Sequence, residues 1–418
     1  MTESAEQLVA GIRNARLRER EGLYRLVFDG RKLGGIVPEA EGRAEAAEGG
    51  PWIDARGGLV TPPFVDAHFH LDSVHSLGET GANRSGTLLE GIELWRKHKR
   101  TLGPEQILVR ARRYCREAAA YGLQAIRSHV DVSYESLAGV GALLELRREL
   151  GDSMDLQFVA FPQDGLFRVP GGERLLLRAL DAGIDVVGGI PHFERTYGEG
   201  TRSVDRLCRI AAERGLRVDL HCDETDDGSS RHVETLAAKT LEYDLPGRTS
   251  ASHTTALHSA DNAWFAKLIP LLAEADMTVI PNPLINLTLQ GRSDTYPKRR
   301  GVTRIPELAA AGIRIGLGQD CVRDPWYPLG TGNLLDVAHM TVHASHMTGV
   351  EQMESLLPMI STNGAEAMGL PGYALRPGEP AHLLVFREES AVELLRLRRP
   401  PAVSVRFGRA VECDLRGA

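Results

Sequence analysis

The stretch Asp66-Ala67-His68-Phe69-His70-Leu71-Asp72 follows directly on the apolar run Leu59-Val60-Thr61-Pro62-Pro63-Phe64-Val65. In a β-strand the imidazoles at positions i and i+2 share one face. Two polar rings held together at the end of an apolar strand are how a divalent metal site begins. An isolated His-x-His also describes two surface histidines at a strand end, so the other strand ends have to decide between the two readings.

From residue 59 to residue 370, short apolar runs alternate with long segments rich in Ala, Leu, Arg and Glu, the pattern of repeated βα units on a parallel sheet. The strand candidates are Leu59 to Val65, Gln124 to His129, Leu156 to Phe161, Asp185 to Ile190, Arg217 to His221, Thr249 to His253, Thr278 to Pro281 and Ile315 to Gln319. Eight such units predict an α/β chain built as a (β/α)8 TIM barrel, with its active site at the C-terminal ends of the strands. Residues 1–58 and 371–418 instead show short strands broken by Gly, Pro and acidic turns, such as Leu23 to Phe28, Ala381 to Phe386 and Val403 to Phe407. These ends predict one small β-sandwich module composed from both termini, beside a barrel over 59–370.

Composition narrows the function. The chain has 418 residues, 42% hydrophobic and 25% charged, with a formal net charge of −7. That charge, with no basic tract beyond Lys298-Arg299-Arg300 and scattered C-terminal arginines, argues against nucleic acid and for a small-molecule partner. The five cysteines contain no Cys-x-x-Cys, which excludes a zinc ribbon or a dithiol redox motif and suits a reduced cytoplasm. Neither a signal peptide nor a membrane-spanning run is expected.

The strand ends carry the chemistry. The fifth candidate ends in His221-Cys222-Asp223-Glu224, the sixth in Ser252-His253-Thr254 and the eighth in Gln319-Asp320-Cys321. Alone, His221 reads as a capping or packing histidine. A His or Asp closing four of the eight strands favours a metal site at the barrel mouth.

These residues resemble the amidohydrolase superfamily and, within it, the bacterial cytosine deaminases. The resemblance runs over most of the chain. It rests on Pro62 to Asp72, Ser85 to Glu93, Ser128 to Val132, Gln157 to Gly165 with its Phe-Pro-Gln, Ile190 to Glu194, His221 to Glu224, Ala251 to Ala256, Asp294 to Gly301 and Asp324 to Gly330. It implies one divalent ion, Fe2+ or Zn2+, held by His68, His70, His221 and Asp320. A binuclear relative would need a carboxylated lysine ending the fourth strand, where this chain has Gly188-Gly189-Ile190-Pro191-His192. The implied chemistry is hydrolytic deamination. Asp320 would deprotonate the attacking water, Glu224 would carry a proton to the ring and then to the leaving amino group, and His253 would orient the nucleophile. Gln163 offers a donor and an acceptor to the amide-like edge of a pyrimidine-like substrate. The family adds a main-chain contact near Leu88, and a homo-oligomer.

Other positions stay open at this stage. His129 and His192 read as packed or hydrogen-bonding neighbours of the site. Phe161 and Trp326 are core or pocket wall, and as wall Trp326 joins Gln163, Leu88 and Cys321 as a candidate substrate contact. Lys298-Arg299-Arg300 is a solvated loop or a lid anchor.

The chain departs from the family where Asp-Asp becomes Asp320-Cys321 and a preceding histidine becomes Gln319. A smaller, more apolar group beside the pyrimidine predicts room for a C5 substituent, so that 5-methylcytosine is a substrate at least as good as cytosine. Cys321 is otherwise a reactive thiol or a packing residue. The competing readings are an aminohydrolase of another amino-heterocycle, of creatinine, pterin, isocytosine or triazine type, and a catalytically silent barrel that only binds.

Overall fold

Eight parallel strands form the centre of the computed structural model, which describes residues 7–18, 20–41, 50–79 and 81–413. In chain order they are Phe64–Phe69, Leu123–Asp131, Asp155–Phe161, Val186–Gly189, Arg217–Cys222, Thr249–His253, Thr278–Ile280 and Arg314–Ile315, each paired with the next. The two edges then meet. A parallel bridge joins Phe69 to Asp320, with Asp320 N donating to His68 O (2.9 Å) and His70 N donating to Asp320 O (3.1 Å). The result is a TIM-like barrel. Nearly every strand residue is buried, the consequence of helices covering the outer face of a parallel sheet.

Two strand expectations need correction. The run Leu59 to Val65 is two strands rather than one. Leu59–Thr61 pairs with Arg16 and Leu17 on one side and with Leu384 and Val385 on the other, and only Phe64–Phe69 enters the barrel. Pro62 and Pro63 lie between them and lack the N–H groups either ladder would need. The eighth strand is regular only over Arg314–Ile315 and runs irregularly to the bridge at Asp320. Gly318 explains the close passage, since a Cβ there would lie 2.3 Å from Asn282 Oδ1 and 2.7 Å from His68 Cβ.

Strands from both chain ends form a second, nine-stranded mixed sheet. Leu383–Val385, Val403–Arg406 and Arg409–Glu412 join the strands that precede the barrel. They share an apolar core of their own, which includes Ile12, Leu26, Leu33, Leu383 and Val405. No helix among the described residues is long and apolar enough to cross a membrane.

The barrel interior also holds a charge. Arg127, on the second strand, is fully buried and donates through Nη1 to Asp219 Oδ2 (2.8 Å), through Nε to Gln157 Oε1 (2.8 Å) and through Nη2 to Ala367 O (2.6 Å). Removing one member of a buried pair strands the other. We therefore expect Arg127→Met to cost about 3–5 kcal/mol, read as a lowered urea midpoint, and Arg127→Met with Asp219→Leu to cost less than Arg127→Met alone.

Candidate metal centre and active site

The closing bridge sets the first and eighth strand ends side by side, and the fifth strand end brings His221 to the same point. His68 and His70 come from the first strand, His221 from the fifth and Asp320 from the eighth, and one ligand atom from each lies within 4.8 Å of all the others. All four residues are buried. His70 Nε2 and His221 Nε2 are 3.1 Å apart, and Asp320 Oδ1 is 3.4 Å from His68 Nε2 and 3.3 Å from His70 Nε2. His68 Nε2 is buried with no hydrogen-bond partner in the protein. Converging lone pairs around such an orphaned nitrogen fit a single divalent ion in a three-imidazole, one-carboxylate set.

The set is braced from behind. His68 Nδ1 lies 2.8 Å from Ser252 Oγ, and that hydroxyl donates to Asp219 Oδ1 (2.7 Å). Since Ser252 gives its proton to the carboxylate, it accepts from His68 Nδ1–H, which leaves Nε2 free of a proton and aimed at the other ligands. Asp219 is held well below the usual carboxylate range: burial opposes this, but His129, Arg127 and His68 outweigh it. His129 packs against His68 with ring centroids 4.2 Å apart, and its pKa falls to about 3, chiefly through burial and then through His68. Phe161 stacks on His221 at 4.0 Å. His129 and Phe161 therefore back the ligand rings.

The proton-handling groups arrive by strained turns. Asp223, His253 and Asp320 all have left-handed backbone, with φ of 52°, 66° and 66°, a conformation that costs energy outside glycine and gathers at functional sites. At Asp223 the turn is anchored by its carboxylate, which caps the next helix through His232 N (3.1 Å) and Val233 N (2.8 Å). Glu224 is thereby directed into the mouth, 3.5 Å from His253 Nδ1. Burial, followed by the charge of Asp320, pushes the Glu224 carboxyl well above its ordinary range, which favours its protonated form. His253 is driven the other way by burial and stays neutral. Asn286 Oδ1 accepts from Asn282 N (3.2 Å), so its Nδ2 faces His253 Nδ1 at 3.0 Å and leaves the ring proton on Nε2, 3.9 Å from Asp320 Oδ2.

A pocket joins these groups. His70, His221, Asp320, Glu224 and His253 line it together with Gln163, Leu88, Cys321 and Trp326, so the residues singled out in the sequence meet at one cavity, apart from His68, which lies behind its wall. The rest of its wall is Ile92, Ile190, Ile285 and Leu289, which the strand-end reading missed because apolar side chains on loops and capping helices leave no motif. Ser252, Asn282 and Asn286 were missed too. An Asn pair at i and i+4 directly after a barrel strand was the available signal for the last two. Burial, then Asp320 and Asp324, raise the Cys321 thiol well above its ordinary value, so it is a neutral packing group rather than a nucleophile. His192 is half-buried and does not line the pocket. Arg299 grips Asp294 through Nε (2.7 Å) and Nη2 (2.8 Å) and reaches Asp226 O (2.6 Å), which ties its loop to the segment after Glu224.

The sequence matches the profile described as "Amidohydrolase family" over residues 52–406. It is 30% identical over 386 residues to N-isopropylammelide isopropyl amidohydrolase of Pseudomonas sp. (strain ADP), covering 91% of each chain. It is also 30% identical over 403 residues to pterin deaminase of Rhizobium rhizogenes (strain K84 / ATCC BAA-868), covering 94% of this chain and 90% of that one. Among solved structures, 5-methylcytosine deaminase from Klebsiella pneumoniae, liganded with 5-fluorocytosine, superposes with a TM-score of 0.92 at 42% identity, over 96% of this chain and 97% of that one.

The bracing predicts a graded loss of metal. Asp320→Asn and His221→Ala should copurify with little or no iron or zinc by elemental analysis, while Ser252→Ala should keep the site but bind the ion about 10–100-fold more weakly in a chelator competition.

Proposed function

The chain belongs to the amidohydrolase family and is a hydrolase acting on C–N bonds; from that premise we propose that it deaminates cytosine, and 5-methylcytosine at least as well, to uracil or thymine plus ammonia. One observation carries the reading. A single pocket is lined at once by potential metal ligands, by Glu224 and His253, by the carboxamide of Gln163 and by the small neutral Cys321. The likeness to 5-methylcytosine deaminase supports the finer part.

His68, His70, His221 and Asp320 would hold one Fe2+ or Zn2+ ion, and what such an ion supplies when bound is an acidified water, a source of hydroxide near neutral pH. Asp320 Oδ2 takes the proton from that nucleophile. The neutral His253 donates from Nε2, orienting the attack on C4 and stabilising the charge that develops there. Glu224 enters the cycle protonated and gives its proton to N3 of the ring. As a carboxylate it then takes the proton of the new C4 hydroxyl and passes it to the exocyclic nitrogen as ammonia leaves, and the proton held by Asp320 returns to Glu224 to reset the site. Gln163 pairs with the O=C–N edge, Leu88 and Trp326 wall the ring, and Cys321 leaves space for a methyl group. In this reading the described strands of the two chain ends form a sandwich-like support, and Pro62-Pro63, rather than residue 58, marks the junction to the barrel. The protein works as a cytoplasmic homo-oligomer, a setting that suits five unpaired cysteines.

Ammonia release by the iron- and zinc-loaded protein tests this against cytosine, 5-methylcytosine, 5-fluorocytosine, creatinine, isocytosine, a pterin and an amino-triazine. The expected result is a kcat/KM for 5-methylcytosine equal to or above that for cytosine, with the other rings poor. A strong preference for unsubstituted cytosine would overturn the role given to Cys321, and turnover confined to another ring would overturn the substrate. Glu224→Gln should lower kcat by about 10²–10⁴-fold while the bound ion remains.

A further inference from the structure

The helix Leu88–His98 supplies Leu88 and Ile92 to the pocket, and the residue after it is Lys99. The Lys99 side chain is only 8% exposed, and its Nζ donates to Asp131 Oδ2 and Asp164 Oδ2, both at 2.7 Å. Asp164 directly follows Gln163. Its other oxygen accepts from Nε (3.1 Å) and Nη2 (2.9 Å) of Arg96 on the same helix, and its backbone N donates to Ser133 Oγ (2.9 Å). Asp131 Oδ2 also accepts from Trp95 Nε1 (3.0 Å), and Asp131 N donates to Asp72 Oδ2 (2.8 Å). The turn carrying Gln163 is tight, closed by Gln163 N to Phe161 O (2.9 Å) and Gly165 N to Pro162 O (2.8 Å).

Burying an ammonium between two carboxylates is costly, and apolar contacts dock a helix without that cost. The ionic knot has a more specific geometry to offer. It fixes the residue beside Gln163 to the helix that supplies Leu88 and Ile92 to the same pocket. Burial would lower the Lys99 pKa, but Asp131 and Asp164 outweigh it and hold the ammonium charged.

We propose that Lys99 is a positioning residue for substrate recognition: through Asp164 it sets the direction of the Gln163 carboxamide and its separation from the Leu88–His98 wall. The proposal rests on the reading of Gln163 as a substrate contact. It assigns Lys99 no part in the chemical step, so its removal acts on binding.

Steady-state kinetics of the metal-loaded full chain test it on the better of cytosine and 5-methylcytosine. Lys99→Met should raise KM about 10–100-fold with kcat within about threefold, the signature of lost uniform binding. Arg96→Met, at a half-exposed side chain, should shift KM the same way by less, and Lys99→Arg should recover part of the loss. On a Gln163→Ala background, Lys99→Met should add less than about twofold, because the two act through one contact. Should Lys99→Met fail to fold, Arg96→Met alone and combined with Gln163→Ala decides. An unchanged KM in folded Lys99→Met and Arg96→Met, beside a raised KM in Gln163→Ala, overturns the proposal and leaves the reading of Gln163 standing. So does full additivity of the double variant. An unchanged KM in Gln163→Ala overturns the reading of Gln163 itself, and the proposal with it.

Discussion

The hydrogen bonds between Asp320 and the backbone on either side of Phe69 are where barrel and site become one structure. They join the last strand to the first, and the residues that make them are His68, His70 and Asp320. A slip of one residue at this seam would turn the imidazoles away from the carboxylate, because side chains alternate along a strand. The left-handed backbone of Asp320 and the lack of a side chain at Gly318 are the local terms that let the seam close so tightly. Fold closure and ligand geometry are therefore a single constraint.

Around the seam the protein solves a charge problem. Three imidazoles and a carboxylate sit out of contact with solvent, where unpaired polar groups are costly. The answer is a chain of directed bonds running away from the mouth, from His68 through Ser252 to Asp219 and on to Arg127. Each link fixes the proton position of the one before it. On the opposite side Asn286 does the same for His253, so the ring proton sits on Nδ1 in His68 and on Nε2 in His253. The neighbouring Glu224 is shifted toward its protonated form by burial, with Asp320 nearby.

The strand ends that carry the candidate ligands and the apolar wall of the pocket are separately built. The candidate ligands depend on the barrel seam, whereas the Leu88 and Ile92 part of the wall depends on how the helix Leu88–His98 is docked. Relatives in this family whose names point to ammelide, pterin and 5-methylcytosine chemistry are compatible with that separation, since loops and their anchors change a pocket without disturbing strand register.

Taken alone, the sequence determined the number and order of the barrel strands, and which of them end in His, Asp or Glu. Burial on both faces leaves a continuous apolar run that stops at a polar residue, and that is visible in one dimension. It misplaced the start of the first strand because Leu59–Thr61 and Phe64–Phe69 are equally apolar, and only their partners show that they belong to different sheets. It could not show Ser252 behind His68, Asn286 behind His253, or Lys99 against Asp164. Those pairs lie 184, 33 and 65 residues apart. What brings them together is the curvature of a closed sheet and the docking of a helix, which no local pattern of side chains encodes.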